Sequence, residues 1–331
     1  MTDLLRSDSV LSTIGILYGD AAGIGPEQIA ALCFEKYFDG RCRPIIIGDV
    51  RVLQQGMEII GHKFPMNVIY DFRQAKFGDA VDVLDTHNIS PENYKLGEVS
   101  IPCGEAAYQD MRTALDALMD GSVQGLMYAP QNKTSFTLAG HELDSMDFMC
   151  RYLGVEKYGE LNVLGNIFTS RVTSHIPLKD VSETLTTEKI LDTIRFAHSC
   201  LRVMGRRGSR IAVMGLNPHN GENGLCGREE IDVIAPAVNL ARESGINAVG
   251  PFSPDTLFSR AFRGEFDMVV TMYHDQGQIA MKLMGFAKAV TVIGGPQWPI
   301  ATPAHGTAFD IAGKGIASLE AIKHAVDIVC K

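Results

Sequence analysis

Three histidines stand directly after apolar stretches that have the composition of β-strands. They are His175 after residues 161–168, His219 after 211–216 and His274 after 267–272. In open parallel sheets, ligand sites collect at the carboxyl ends of strands, so three imidazoles in these positions could converge on one divalent metal. A structural role in which each histidine is simply hydrogen-bonded is the alternative.

Two further side chains near His274 suit proton transfer. Asp275 is its immediate neighbour, and Lys282 follows eight residues after the histidine. A lysine in this position could supply positive charge or a proton to a developing alkoxide. We therefore take Lys282 and Asp275 as candidate catalytic residues, with a solvated surface amine as the alternative for the lysine.

A glycine-rich segment, residues 19–27, lies between a predicted strand and the helical stretch 28–34. Its sequence is Gly-Asp-Ala-Ala-Gly-Ile-Gly-Pro-Glu. A strand, a glycine turn and a helix start let backbone N–H groups approach an anion closely. The spacing does not match the G-x-G-x-x-G pattern, so a tight turn that needs glycine is an equally good explanation.

A second segment of glycines and small residues spans 305–315 and could contact a dinucleotide through its backbone amides. Asp310 could accept a hydrogen bond from a hydroxyl or an amine, and a structural glycine loop is the alternative. The candidate cofactor contacts in the two segments are Gly23, Gly25, His305, Gly306, Thr307, Ala308 and Asp310.

The net charge and the composition indicate which kinds of molecule the protein binds. The chain has 331 residues, 39 acidic against 30 basic, and a formal charge of −9, which gives no electrostatic footprint for nucleic acid or an anionic membrane. Apolar runs are too short to span a bilayer and the first residues do not resemble a signal peptide, so we expect a cytoplasmic protein with a small-molecule substrate. The seven cysteines are scattered and predict reduced thiols rather than disulfides or a zinc site. Cys226, in a glycine-bracketed loop, is better explained as inert than as a nucleophile.

Strand-like and helix-like segments alternate along the whole chain, which predicts an α/β fold with a mainly parallel sheet and helices on both faces. The predicted strands are 11–18, 44–47, 125–128, 161–168, 211–216, 267–272 and 289–293. The predicted helices include 105–119, 189–204, 230–244 and 318–329.

The motifs together resemble the 4-hydroxythreonine-4-phosphate dehydrogenase family over nearly the whole chain. The pieces are residues 19–27, Asn217-Pro218-His219, the run from Tyr273 to Gly277 and residues 305–315, in the family's order and at similar spacing. The last piece also resembles the cofactor loop of isopropylmalate and isocitrate dehydrogenases.

The resemblance implies a two-lobed, three-layer α/β/α subunit of the isocitrate and isopropylmalate dehydrogenase type. Its active site would lie in the cleft between the lobes at the interface of a homodimer. We expect residues 1–125 and 255–331 to form a terminal lobe with the cofactor loop, and residues 126–254 a middle lobe with the dimer interface.

The resemblance also implies an activity. His175, His219 and His274 would bind one divalent metal (zinc, magnesium, manganese or cobalt) with ligands from both subunits, and Lys282 would contact the substrate. The reaction would be the NAD- or NADP-dependent oxidation of a β-hydroxy acid, followed by decarboxylation. An acyltransferase resembling phosphate acetyltransferases, or an idle ligand-binding protein on the same fold, is the alternative.

Several residues that contact the substrate in the family are replaced in this chain. The Gly-His-Thr-Glu element of members that act on 4-phosphohydroxythreonine is replaced around Ser145 and Met146, and Thr291 and Ile300 stand near the positions of an asparagine and an arginine. Losing the arginine removes a charge-assisted contact to phosphate. The substrate is therefore either 4-phosphohydroxythreonine or a non-phosphorylated relative such as terephthalate cis-dihydrodiol.

Overall fold

The computed structural model describes residues 11–141 and 144–330, apart from the side chain of Phe286. The strands are β1 (Thr13–Leu17), β2 (Arg43–Ile47), β3 (Met66–Ile69), β4 (Val81–Leu84), β5 (Gly125–Tyr128), β6 (Gly159–Leu164), β7 (Ile167–Arg171), β8 (Ile211–Met214), β9 (Ala248–Phe252), β10 (Met268–Thr271), β11 (Val290–Gly294) and β12 (Ile300–Pro303). The helices are α1 (Gly25–Phe34), α2 (Val50–Ile60), α3 (Ile101–Met119), α4 (Lys133–Leu138), α5 (Ser145–Tyr152), α6 (Val181–Thr184), α7 (Thr187–Val203), α8 (Ala235–Glu243), α9 (Pro254–Ala261), α10 (His274–Gly285) and α11 (Glu320–Val329).

The chain forms two compact units, and the first comprises Met1–Leu153 with Trp298–Lys331. Its sheet has the order β3-β4-β2-β1-β5-β12, with every neighbouring pair parallel. The central strands are almost continuously apolar because both faces of a parallel sheet are covered. Ile14, Ile16 and Ile46 are fully buried.

The second unit is Gly154–Gln297. Its sheet has the order β11-β6-β7-β10-β8-β9, in which β11–β6 and β6–β7 are antiparallel and the remaining pairs are parallel. A buried cluster that includes Met214, Leu257 and Val269 packs between β8, β10 and α9. This cluster fixes the strand ends from which two of the predicted histidine segments emerge.

The joins between the units lie at residues 153/154 and 297/298, whereas we expected lobe boundaries at 125/126 and 254/255. Strand β5 is held in the first unit by parallel pairing with β1. Strand β10 is held in the second unit by pairing with β7 and β8. His274 consequently belongs to the same unit as His175 and His219.

The α/β class is confirmed, and the four predicted helices are confirmed with shifted ends. The prediction of one strand over 161–168 was wrong, because β6 and β7 form an antiparallel hairpin there. The turn uses Gly165 with a φ of +58°, a conformation that glycine adopts without a steric penalty. The short strands β3, β4, β9 and β12 were not predicted.

No helix within the described residues has the length and apolar character needed to cross a membrane. The cysteines are unpaired, as predicted, and Cys226 is the exposed one.

Candidate functional site

Strands β7 and β10 end side by side in the second unit, and each leads to a predicted metal ligand. The Thr173 N–H donates to the Met272 carbonyl at 3.1 Å, and the Thr173 hydroxyl donates to the same oxygen at 2.8 Å. His175 and His274 follow these two residues, with ring centroids 5.8 Å apart. The fold thus brings two of the three predicted imidazoles together.

Asp275 orients the ring of His274. The His274 Nδ1 and the Asp275 Oδ1 lie 2.7 Å apart. A neutral imidazole that donates its Nδ1–H to a carboxylate keeps a lone pair on Nε2, which is the usual arrangement of a metal-binding histidine. The position of Asp275 therefore suits a residue that sets the tautomer of His274.

The third histidine lies in a loop with an unusual backbone, Pro218–Gly224. Five consecutive residues from His219 to Asn223 have positive φ, including 50° at His219 and 44° at Glu222. The left-handed region costs a non-glycine residue about 1–2 kcal/mol. Such a run persists only where surrounding contacts determine it, and it occurs preferentially at functional sites.

Glu230 supplies those contacts from the start of the helical segment that leads into α8. Its buried carboxylate accepts hydrogen bonds from the N–H groups of Leu216 and Asn217, both at 2.7 Å, and from the Asn217 side chain at 2.9 Å. A Cβ at Gly221 would lie 2.7 Å from its Oε2. The carboxylate is therefore packed against the loop on both sides.

Gln276 ties the His219 loop to the His274 segment. Its side-chain oxygen accepts from the Met272 N–H at 2.8 Å, and its side-chain nitrogen donates to the Gly215 carbonyl at 3.0 Å. One amide thus bridges the ends of β10 and β8. The positions of the two histidine segments are mechanically linked through this residue.

A different group of three ligand atoms lies within 4.8 Å in the described part of the chain, at Asp49, Asp85 and His87. Asp49 already accepts two hydrogen bonds from the Arg51 guanidinium, at 2.9 and 2.7 Å. This ion pair holds the pKa of Asp49 down against the effect of burial. The ion pair between Asp49 and Arg51 therefore explains this cluster without a metal.

The three histidines do not form such a close group among the described residues. The adjacent rings of His175 and His274, with Asp275 behind the latter, nevertheless present imidazole nitrogens of the kind that zinc and similar divalent ions prefer. The donor set fits a metal, and the complete set of His175, His219 and His274 stays a prediction.

The other predicted substrate residues of the second unit lie on separate elements. Lys282 is exposed on α10, eight residues after the start of that helix. Thr291 is half-buried on β11, in register with Asn162 of β6. Their contact with a substrate stays a prediction.

In the first unit, Ser145 and Met146 open helix α5. Asp144 caps this helix, its carboxylate accepting from the Met146 N–H at 2.9 Å. Ile300 is fully buried on β12, in register with Leu126 of β5, so its side chain belongs to the core.

The glycines of the 19–27 segment are required by close packing. A Cβ at Gly25 would lie 1.9 Å from the Tyr18 carbonyl oxygen, and one at Gly23 would lie 3.1 Å from Thr307. The N–H groups of Gly23 and Ile24 already donate to Asp20 and Thr307. These contacts match the tight-turn alternative, while a cofactor contact at Gly23 and Gly25 stays a prediction.

The 305–315 segment borders a cavity of about 270 Å³ within the first unit, lined by residues that include Asn132, Lys133, His305 and Gly306. This volume is small beside typical ligand pockets of roughly 300–1,000 Å³, so the cavity suits part of a dinucleotide.

Backbone donors are available at this cavity. In the structure as described, the N–H groups of Gly306, Thr307 and Ala308 donate no hydrogen bond to protein. Gly306 is exposed, and a Cβ there would meet nothing within 4 Å. These donors fit a phosphate or an amide of a bound cofactor.

Two buried carboxyl groups of the first unit have raised pKa values. Burial raises the pKa of Asp20 to about 6, against the opposing hydrogen bond from the Ala22 N–H. Burial also raises the pKa of Asp110 to about 7, although Asn88 donates to its carboxyl at 2.7 Å. Sequence reasoning missed both groups.

It also missed Glu230 and Gln276 as supports of the histidine segments. The available signals were weak. Glu230 follows a polar glycine-rich loop at a helix start, where an acidic residue is ordinarily explained by the helix dipole. Gln276 lies in the run from Tyr273 to Gly277, in which only His274 and Asp275 were interpreted as functional.

Comparison with known proteins gives a family match over most of the chain. The sequence profile of the family described as pyridoxal phosphate biosynthetic protein PdxA matches residues 40–329. Among curated relatives, a putative 4-hydroxythreonine-4-phosphate dehydrogenase 2 from Pseudomonas aeruginosa is 43% identical over 327 residues, covering 97% of each chain. A D-threonate 4-phosphate dehydrogenase from Cupriavidus necator is 37% identical, covering 97% of this chain and 98% of the relative.

Solved structures agree with these matches. The crystal structure of a 4-hydroxythreonine-4-phosphate dehydrogenase from Burkholderia phymatum superimposes with a TM-score of 0.85 and is 35% identical. The match covers 97% of this chain and 98% of that one.

Proposed function

Since the chain belongs to the family of pyridoxal phosphate biosynthetic protein PdxA and is a dehydrogenase, we propose that it oxidises and decarboxylates a β-hydroxy acid. The hydride acceptor is NAD or NADP, and the reaction needs one divalent metal. The observation that supports this best is the adjacency of His175 and His274, with Asp275 on the Nδ1 of His274.

The metal would be held by His175, His219 and His274. A divalent ion bound by neutral imidazoles supplies positive charge that makes a substrate hydroxyl acidic, and a nicotinamide supplies the hydride acceptor. Asp275 fixes the His274 ring so that its Nε2 faces outward as a ligand. Glu230 and Gln276 hold the His219 and His274 segments in place before the substrate arrives.

Lys282 is the proposed proton donor and charge partner. An ammonium group stabilises the negative charge that remains on the substrate oxygen when carbon dioxide leaves, and it then returns a proton to the product. The amides of Gly306, Thr307 and Ala308 would bind the cofactor and orient it.

Two observations bear on the substrate and point in different directions. Relatives at 43% and 37% identity are described as dehydrogenases of phosphorylated hydroxy acids, which favours 4-phosphohydroxythreonine or D-threonate 4-phosphate. In this chain, however, the Asp144 carboxylate caps the N-terminus of α5 beside Ser145 and Met146, and its negative charge disfavours a phosphate next to these predicted substrate residues. A non-phosphorylated substrate such as terephthalate cis-dihydrodiol is therefore the second candidate.

The active site is proposed to be shared in a homodimer. Helix α10 exposes large apolar side chains at Ile279, Leu283 and Met284, of which Leu283 is 82% exposed. Ile279 and Leu283 are one helical turn apart and so share a face. A second copy of this chain would cover them, on the same helix that begins with His274.

The test is a screen of hydroxy acids, phosphorylated and not, followed by NADH or NADPH absorbance. The purified protein is stripped with a chelator and assayed before and after zinc, magnesium, manganese or cobalt is restored. We expect turnover that depends on restored metal. Turnover unaffected by chelation would contradict the metal role, and absence of NAD(H) and NADP(H) binding would contradict the proposed cofactor.

A further inference from the structure

Helix α1 and the 305–315 segment are joined by hydrogen bonds between residues far apart in sequence. The Ile24 N–H donates to the Thr307 carbonyl at 3.1 Å. Beyond the segment, the Gln28 side chain donates to the Ser318 carbonyl at 2.8 Å. The two glycine-rich segments that looked independent in the sequence therefore form one structure.

Glu27 lies at the centre of this contact. Its side chain is only 3% exposed, and its Oε2 accepts from the Gly313 N–H at 2.8 Å. Burial raises the pKa of Glu27, and the hydrogen bond from the Gly313 N–H opposes that rise. The hydrogen-bond partner of this buried carboxylate is thus a backbone donor of the loop, while its Oε1 is buried without a partner among the described residues.

The residue type matters because a carboxylate offers only acceptors. Successive backbone N–H groups of a glycine-rich loop form a concave donor site that an anion fills. Here the anion is a side chain of the protein. An apolar replacement would leave the Gly313 N–H without this acceptor, and an amide would keep an acceptor but replace a charge-assisted bond by a weaker neutral one.

We propose that Glu27 is a positioning residue of the cofactor site. Its carboxylate holds Gly313, and together with the Ile24–Thr307 bond it keeps the N–H groups of residues 306–308 in place for the dinucleotide. This inference rests on the proposed NAD or NADP dependence for its ligand, but not for the loop contact itself.

The test compares the Glu27→Gln variant with wild type and with Glu58→Gln, which removes one exposed carboxylate from the neighbouring helix α2. Hydrogen exchange of residues 305–318 reports on the loop without cofactor. NADH fluorescence titration gives Kd, and steady-state kinetics give KM for cofactor and for hydroxy acid separately.

For Glu27→Gln we expect faster exchange in residues 305–318 and a Kd for NADH about tenfold weaker, as when a charge-assisted hydrogen bond is replaced by a neutral one. The KM for the hydroxy acid should change less than twofold. Glu58→Gln should match wild type in every measurement.

Wild-type exchange and wild-type affinity in a folded Glu27→Gln protein would overturn the inference. Should that variant not fold, Glu27→Asp keeps the charge but withdraws it by one methylene, and the same two readouts decide. Absence of NADH and NADPH binding in wild type would contradict the proposed function, whereas the exchange data would still test the contact.

Discussion

The sequence motifs of the two units differ in how closely other atoms of the chain pack against them. In the first unit, the 19–27 and 305–315 segments are closed on each other, with buried glycines and a buried carboxylate at Glu27. In the second unit, the segments of His175, His219 and His274 are partly exposed. The Glu230 carboxylate fixes the left-handed loop there by accepting hydrogen bonds from the backbone that leads into it.

This difference in packing indicates that the motifs of the two units have different roles. In the first region, Gly25 and Glu27 are constrained by atoms of this chain, so close packing and hydrogen bonding explain their types. In the second region, the His219 loop is strained, Asp275 orients the His274 ring, and the three histidines are at least partly exposed. We infer that chemistry selects the histidines of the second region, whereas close packing selects Gly23 and Gly25 of the first.

The largest effect is expected when an imidazole of the second region is removed. His219→Ala should abolish dehydrogenase activity and reduce bound metal, because a metal ligand is lost while the loop keeps its Glu230 contacts. Activity and metal content measure this. His62→Ala, an exposed histidine of the first unit outside the group of Asp49, Asp85 and His87, is the control. Full turnover with full metal content in His219→Ala would remove this residue from the metal site.

The next effect concerns shape in the first region. Gly25→Ala should destabilise the fold by about 3 kcal/mol or more, because the new methyl group would lie 1.9 Å from the Tyr18 carbonyl oxygen. Gly306→Ala, where the space is open, should change stability by less than about 0.5 kcal/mol. Urea unfolding compares the two. Equal midpoints would show that packing does not explain Gly25.

A smaller effect should follow from the buried Asp110. Its folded pKa of about 7 lies above the ordinary value of 3.8. Its stabilising contribution is therefore full below about pH 4 and is lost as the pH rises through about 7. The unfolding free energy of wild type should fall more between these limits than that of Asp110→Asn. Parallel pH profiles would contradict the raised pKa.

The smallest effect tests the link between the two histidine segments. Gln276→Ala should weaken metal binding about tenfold, since one bridging amide with two hydrogen bonds is removed while every ligand remains. Metal titration of the stripped protein measures this. Gln278→Ala, two residues further along α10, is the matched control. If both variants bind metal equally well, Gln276 does not position the histidines.

Local patterns gave the α/β class and the predicted helices, because helix-period apolar residues and stop signals are properties of short windows. They also placed His175, His219 and His274 after strands. Strands β3 and β4, with four residues each, are too short for a clear pattern. The β6–β7 hairpin was hidden because both strands are apolar on either side of Gly165.

The supporting residues of the candidate site lay beyond such patterns. The contact of Glu27 with Gly313 spans 286 residues, and that of Gln276 with Gly215 spans 61. Burial and hydrogen bonding of a carboxyl group follow from tertiary structure, so the raised pKa values of Asp20 and Asp110 could not be read from composition.

The difference in exposure among the cysteines allows selective labelling of the native protein with a fluorescent dye. Burial raises the pKa of Cys33, Cys103, Cys150 and Cys200, which leaves them unreactive towards alkylating reagents at neutral pH. Cys226 is the exposed cysteine, and its N–H donates to the carbonyl of Gly221 in the left-handed run. A maleimide dye would therefore attach to the native protein beside the His219 loop, and its emission would follow movements of that loop without any engineered cysteine.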